Sequence, residues 1–101
     1  MSTRILVVDD DPGISEMVSI LLESEGYDVS VCATGTAALP AFRSQRPDLI
    51  LLDVMLPGLD GVSVCEQIRE ESDDVPIIMM SARTDSVDVI AGLEAGADDY
   101  V

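Results

Sequence analysis

An α/β fold is what this sequence predicts: a parallel sheet of five strands, wound on both faces by helices, in the strand order 2-1-3-4-5. Three observations point there. Short continuous apolar runs (Ile5 to Val8, Leu49 to Leu52, Val75 to Met80) have the composition of central strands covered on both faces. Stretches of helical spacing separate them, and alternating strand and helix implies a parallel sheet with right-handed crossovers. Finally, Tyr27 to Cys32 alternates apolar with polar residues, as a half-exposed edge strand does, and this places it outside the first strand.

The elements follow in order. After the first strand, Asp11 is the expected N-cap and Pro12 the first helical residue. Ile14, Met17, Val18, Leu21 and Leu22 then share one helical face, and Gly26 ends the helix. Tyr27 to Cys32 forms the second strand. Thr34 caps a second helix carrying Ala37, Ala38, Leu39, Ala41 and Phe42, with Pro40 inside it. A mid-helix proline loses a backbone bond, so a kink or a late start is expected there. Asp48 to Asp53 is the third strand, and Pro57 to Gly61 a turn-rich loop. Val64, Cys65 and Ile68 give the third helix its apolar side. Val75 to Met80 is the fourth strand and delivers Ser81 and Ala82. Thr84 or Asp85 opens a fourth helix with Val87, Ile90 and Leu93, ending near Gly96, and Asp98 to Val101 begins the fifth strand.

Composition narrows the function. The chain has 101 residues, a single domain in size. Aromatics are 3% against 48% apolar residues, so the core must be aliphatic. Twenty acids stand against five arginines, with no lysine or histidine, giving a formal charge of −15. Direct binding to nucleic acid or to an acidic membrane surface is disfavoured, because both need clustered bases. No apolar stretch is as long as a membrane span. Cys32 and Cys65 lack CxxC spacing and no secretory signal precedes them, which fits buried core thiols in a reduced cytoplasmic compartment.

The chemistry-bearing residues gather at one rim. In open parallel sheets the ligand site lies outside the carboxyl ends of the strands. Asp9 and Asp10 end the first strand, Asp53 the third, and Ser81 follows the fourth. Clustered carboxylates repel one another unless a cation joins them, and magnesium takes carboxylates, a carbonyl and water. A carboxylate beside such a metal is a competent nucleophile towards a phosphoryl group, and a nearby hydroxyl can bond a phosphoryl oxygen. Bland explanations exist for each member. Acids after strands are often helix caps, as Asp11 is expected to be; serines there often cap loops; Tyr100 alone reads as packing. No Walker or GxGxxG pattern occurs. The constellation carries the signal.

With these motifs in view, the whole chain resembles the receiver domain of two-component response regulators, a flavodoxin-like fold. The matching segments are ILVVDDD at 5–11, DLILLDVMLPGLDG at 48–61, MMSA at 79–82 and GLEAGADDYV at 92–101. The last resembles the OmpR/PhoB winged-helix subfamily, and an all-arginine basic set suits a GC-rich, actinobacterial source. The resemblance implies that Asp53 is the phosphoacceptor, charged by a sensor histidine kinase. It implies that Asp10, Asp53 and the Met55 carbonyl hold Mg2+, with Asp9 assisting through water. Ser81 matches the switch hydroxyl and Tyr100 the switch aromatic. It further implies a homodimer through the fourth-helix and fifth-strand face, with Glu94, Asp98 and Asp99 as an acidic strip. The domain would be a switch rather than an enzyme, controlling transcription through a DNA-binding domain outside this chain.

One departure matters. The family carries a lysine three residues after the position of Tyr100, and its fifth helix follows; this sequence stops at Val101. Residues 1–101 are therefore expected to be a C-terminally incomplete receiver, or else a degenerate one acting only as an interaction module. The intact remainder of the motif set favours the former. A phosphatase of the haloacid dehalogenase type also attacks through a strand-end aspartate, but it needs a second acid where Met55 stands.

Overall fold

The computed structural model describes residues 2–80, 93 and 95–100. Five parallel strands form one sheet in the order β2-β1-β3-β4-β5, as the sequence predicts. They are β1 (Arg4–Val8), β2 (Asp28–Cys32), β3 (Leu49–Asp53), β4 (Ile77–Met80) and β5 (Asp99–Tyr100); between them run α1 (Pro12–Ser24), α2 (Gly35–Gln45) and α3 (Gly61–Glu71). Ser81 and the fourth helix expected from Thr84 or Asp85 lie outside the described residues. Register places Val8 beside both Cys32 and Leu52, and Asp53 beside Met80.

Right-handed crossovers put α1 on one face of this sheet and α2 and α3 on the other. The main core lies beneath α2 and α3. There Leu6, Val8, Ile50, Leu52, Ile77 and Met79 meet Ala38, Val64, Cys65 and Ile68. Leu6, Ile50, Leu52, Ile68, Ile77 and Met79 are fully buried, each contributing about 1.5–3 kcal/mol relative to an exposed position. Ile5 and Val7 are buried towards the opposite face, whereas Leu49, Leu51, Ile78 and Met80 are half-buried.

The helix caps follow the sequence. Asp11 accepts hydrogen bonds from the N–H groups of Gly13 and Ile14, with Pro12 opening α1. Thr34 accepts from Ala37 N–H at the start of α2. Asp60 accepts from Ser63 N–H at the start of α3. Gly26, at φ +91°, takes the left-handed conformation beyond α1 that favours glycine.

Four expectations change. The face of α1 turned inward is Ser15, Val18, Ser19 and Leu22, while Ile14, Met17 and Leu21 are 43%, 56% and 59% exposed. The apolar stripe of α1 is wider than its contact with β1 and β2, so part of it faces outward. Second, α2 starts on its Thr34 cap and runs through Pro40. Pro40 has no N–H to donate to the carbonyl of Thr36, but both residues are exposed, so that carbonyl is open to solvent. Third, β4 begins at Ile77, because Pro76 has no N–H to donate, although its carbonyl still accepts from Ile50 N–H. Fourth, β2 begins at Asp28 because Tyr27 N–H donates to Leu22 O and closes the preceding helix, and β3 begins at Leu49.

Candidate functional site

Two neighbouring strand ends build the site. Asp9 follows β1 directly, and its N–H donates to Cys32 O, which extends the ladder by one bond and fixes where its carboxylate emerges. That carboxylate is buried, with Asp9 only 4% exposed, and its Oδ1 accepts from Asp11 N–H at 2.9 Å. Asp10 is exposed. Asp53 ends β3 and is half-buried; its Oδ1 accepts from Met55 N–H at 3.0 Å, a short turn that aims the carboxylate away from the strand.

The loop that follows Asp53 is clamped on both sides. Val54 N–H donates to Met80 O, and Gly61 N–H donates to Val54 O. A Cβ on Gly61 would lie 2.4 Å from Asp53 O and 2.7 Å from Val54 Cα. Only glycine lets α3 begin this close to the end of β3. Gly35 does the same for α2, where a Cβ would lie 2.1 Å from Leu59 O.

Asp9, Asp10 and Asp53 each bring a carboxylate oxygen within 4.8 Å of the others. The described arginines do nothing to neutralise them. Arg4 begins β1, Arg43 and Arg46 lie at the end of α2, and Arg69 sits in the last turns of α3, all at the opposite rim of the sheet. Among the described residues the ion pairs are Arg43–Glu71 and Arg69–Asp98. Asp53 accordingly titrates above the ordinary carboxylate range. Partial burial is the main cause, the Met55 N–H opposes it, and the charges of Asp9 and then Asp10 add to it. A set of three oxygen donors with uncompensated charge and one exposed side fits a hard divalent cation such as Mg2+.

Of the other residues the sequence singles out, Met55 lies in the loop after Asp53 and Tyr100 lies in β5, paired with Met79 of β4. Ser81 lies outside the described residues. Sequence reasoning passed over Gly35 and Arg69, and read Gly61 only as part of a turn-rich loop. The close approach of Gly61 to β3, like the contacts of the other two, depends on tertiary packing.

With the doubly wound sheet and its carboxylate rim established, comparison with known proteins bears on what class this is. The family model "Response regulator receiver domain" matches residues 5–101, and the chain belongs to that family. The DNA-binding response regulator MtrA of Mycolicibacterium smegmatis is 57% identical over 101 residues, covering all of this chain and 44% of the relative. The transcriptional regulatory protein CseB of Streptomyces coelicolor is 58% identical over 99 residues, covering 98% of this chain and 42% of the relative. The chain thus spans less than half the length of these relatives. Among solved structures, the BeF3-activated N-terminal receiver domain of Klebsiella pneumoniae RstA superposes with a TM-score of 0.94 at 34% identity, over 98% of this chain and 84% of that one. Among the described residues, no helix is long and apolar enough to cross a membrane.

Proposed function

We propose that Asp53 is the phosphoacceptor of a two-component switch, charged by a sensor histidine kinase with Mg2+ bound at the carboxylate rim. The observation that carries this reading is the convergence of Asp9, Asp10 and Asp53 at one partly open edge. Asp10, Asp53 and the Met55 carbonyl would hold the ion, with Asp9 acting through water. When bound, the ion offsets the repulsion between an anionic nucleophile and an anionic donor. The chain's own residues do the rest. Met55 N–H orients Asp53 by holding one oxygen, leaving the other to attack phosphorus. As that oxygen–phosphorus bond forms, the bond from phosphorus to the donor imidazole breaks, and the imidazole leaves with its electron pair and is reprotonated from solvent. Buried Asp9, fixed by Asp11 N–H, keeps the rim acidic and so favours a bound cation over an empty site.

The new dianionic group then draws Ser81 towards a phosphoryl oxygen, and the space vacated admits the ring of Tyr100. This alters the face formed by the fourth helix and β5, where a second copy docks. In this reading the protein is a switch rather than an enzyme, and it acts on transcription through a DNA-binding domain outside this chain. That last step is supported by the greater length of MtrA, a DNA-binding response regulator, and of CseB, a transcriptional regulatory protein. The test is incubation with acetyl phosphate, with and without Mg2+, for the parent and Asp53→Asn. Labelling of the parent only, and only with Mg2+, is expected; labelling that persists in Asp53→Asn or ignores Mg2+ overturns the assignment. Ser81→Ala should take up phosphoryl groups yet lose the phosphorylation-dependent change in sedimentation, and a response equal to the parent's would refute the coupling.

A further inference from the structure

We propose that Arg69 is a positioning residue that sets the seat of β5, and with it Tyr100, relative to the acceptor strand. The inference rests on Asp53 being the acceptor and adds a part of the chain the reading above does not use. Arg69 lies in the last turns of α3, and its side chain is 15% exposed. Its guanidinium serves four partners at once. Nε donates to Gly96 O at 2.8 Å; Nη1 donates to Ser72 O at 3.2 Å and Val75 O at 2.7 Å; Nη2 meets Asp98 Oδ2 at 3.0 Å.

Those partners belong to two loops distant in sequence. Ser72 and Val75 lie between α3 and β4, whereas Gly96 and Asp98 lead straight into β5. Asp98 Oδ2 also accepts from Ile77 N–H at 2.8 Å, and Asp98 N–H donates to Ile77 O at 2.8 Å. The guanidinium thus holds the carboxylate that seats β5 against the first residue of β4. The fit is close: a Cβ on Gly96 would lie 2.7 Å from Arg69 Cγ, so this turn, at φ +111°, accepts only glycine on both grounds. Cys65, one turn earlier on α3, adds a thiol contact to Ala95 O at 3.5 Å.

The opposite end of α3 is the one pressed on the acceptor. Gly61 N–H bonds Val54 O, and a Cβ there would lie 2.4 Å from Asp53 O. Gly61 and Arg69 are joined by one continuous helix, about 12 Å of rise at 1.5 Å per residue. A helix is stiff over that length, so α3 is a strut with the phosphoacceptor at one end and the entry to β5 at the other. Arg69 is the grip at the far end. Asp98 therefore does more than contribute to an exposed acidic strip, since one of its oxygens is committed within the subunit.

The experiment compares the full-length parent with Arg69→Met, Arg69→Lys and Asp98→Asn by amide NMR, with Mg2+ and with or without beryllofluoride. In Arg69→Met, beryllofluoride still binds, but the shifts it induces in the amides of 95–100 are lost. Arg69→Lys restores part of them, because an ammonium cannot reach four acceptors together. Asp98→Asn, which keeps an acceptor for Ile77 N–H, weakens them as well. Shifts at 95–100 equal to the parent's in Arg69→Met overturn the proposal, as does a loss of shifts that merely follows a loss of beryllofluoride binding. Failure of the acceptor reading is distinguishable, because the parent itself then binds no beryllofluoride. Hydrogen exchange without the mimic still tests Arg69 in that event. Faster exchange at Asp98 and Ile77, with Ile50 and Leu52 unchanged, supports the grip; unchanged exchange at all four overturns it.

Discussion

Gly61→Ala isolates the contact between α3 and the end of β3 that carries Asp53. The added methyl would sit 2.4 Å from Asp53 O, and about 1 Å of separation must open to reach ordinary contact. Both sides are backbone, so no side chain can swing away. Overpacking of this kind costs about 1–3 kcal/mol, against a helix-propensity gain of at most about 1 kcal/mol, reduced at the first helical position. Either the fold carries that cost or the end of β3 moves. Displacement of a reacting strand end by about 1 Å can cost up to a hundredfold in rate. Two controls separate the causes. Gly13→Ala meets only the Asp11 side chain, at 3.3 Å, and should be nearly neutral. Gly26→Ala meets nothing within 4 Å but keeps φ +91°, so it should lose about 1–2 kcal/mol of stability with no effect on phosphorylation. Urea unfolding and acetyl phosphate labelling of the three variants give the comparison. Gly61→Ala with the parent's stability and the parent's labelling rate would refute the account of how α3 holds the acceptor.

Asp53→Asn should raise the urea midpoint near neutral pH in a metal chelator. The folded carboxyl titrates above its unfolded value, so ionised Asp53 opposes folding; stability is fuller below the ordinary carboxylate range and falls as pH rises through the raised value. The advantage of the variant should therefore shrink on acidification through that window, and a constant difference would contradict the shift. Asp11→Ala removes the cap on Gly13 and Ile14 N–H and should lower stability by about 1 kcal/mol, read by thermal unfolding. Burial pushes the Cys65 thiol up to about 11, and Cys32 is raised by the same cause. Neither should react with an aromatic disulfide reagent in the native protein at mildly alkaline pH, and both should react in concentrated urea.

Much of this molecule was legible because each local signal agreed with the fold. Continuous apolar runs marked the central strands, alternation marked β2 as an edge, and Asp11, Thr34 and Gly26 punctuated helices where they do so in the structure. The carboxylate cluster could be read because a parallel sheet sends every strand end to one rim. What could not be read depends on tertiary contact. The stripe of α1 gives its helical character but not its rotation, since Ile14 and Leu21 are as apolar as the inward Val18 and Leu22. Arg69 looks like any surface arginine until Gly96 and Asp98 fold beside it. Gly35 serves Leu59 O, a neighbour that no sequence pattern announces.

The central claim is that Asp53, among three clustered carboxylates, carries the phosphoryl group. Borohydride reduction converts an aspartyl phosphate to homoserine, which tandem mass spectrometry can place in the chain. After treatment of the parent with acetyl phosphate and Mg2+, homoserine at position 53 alone is expected. Homoserine at position 9 or 10, or none at all in a protein that binds Mg2+, would contradict the account.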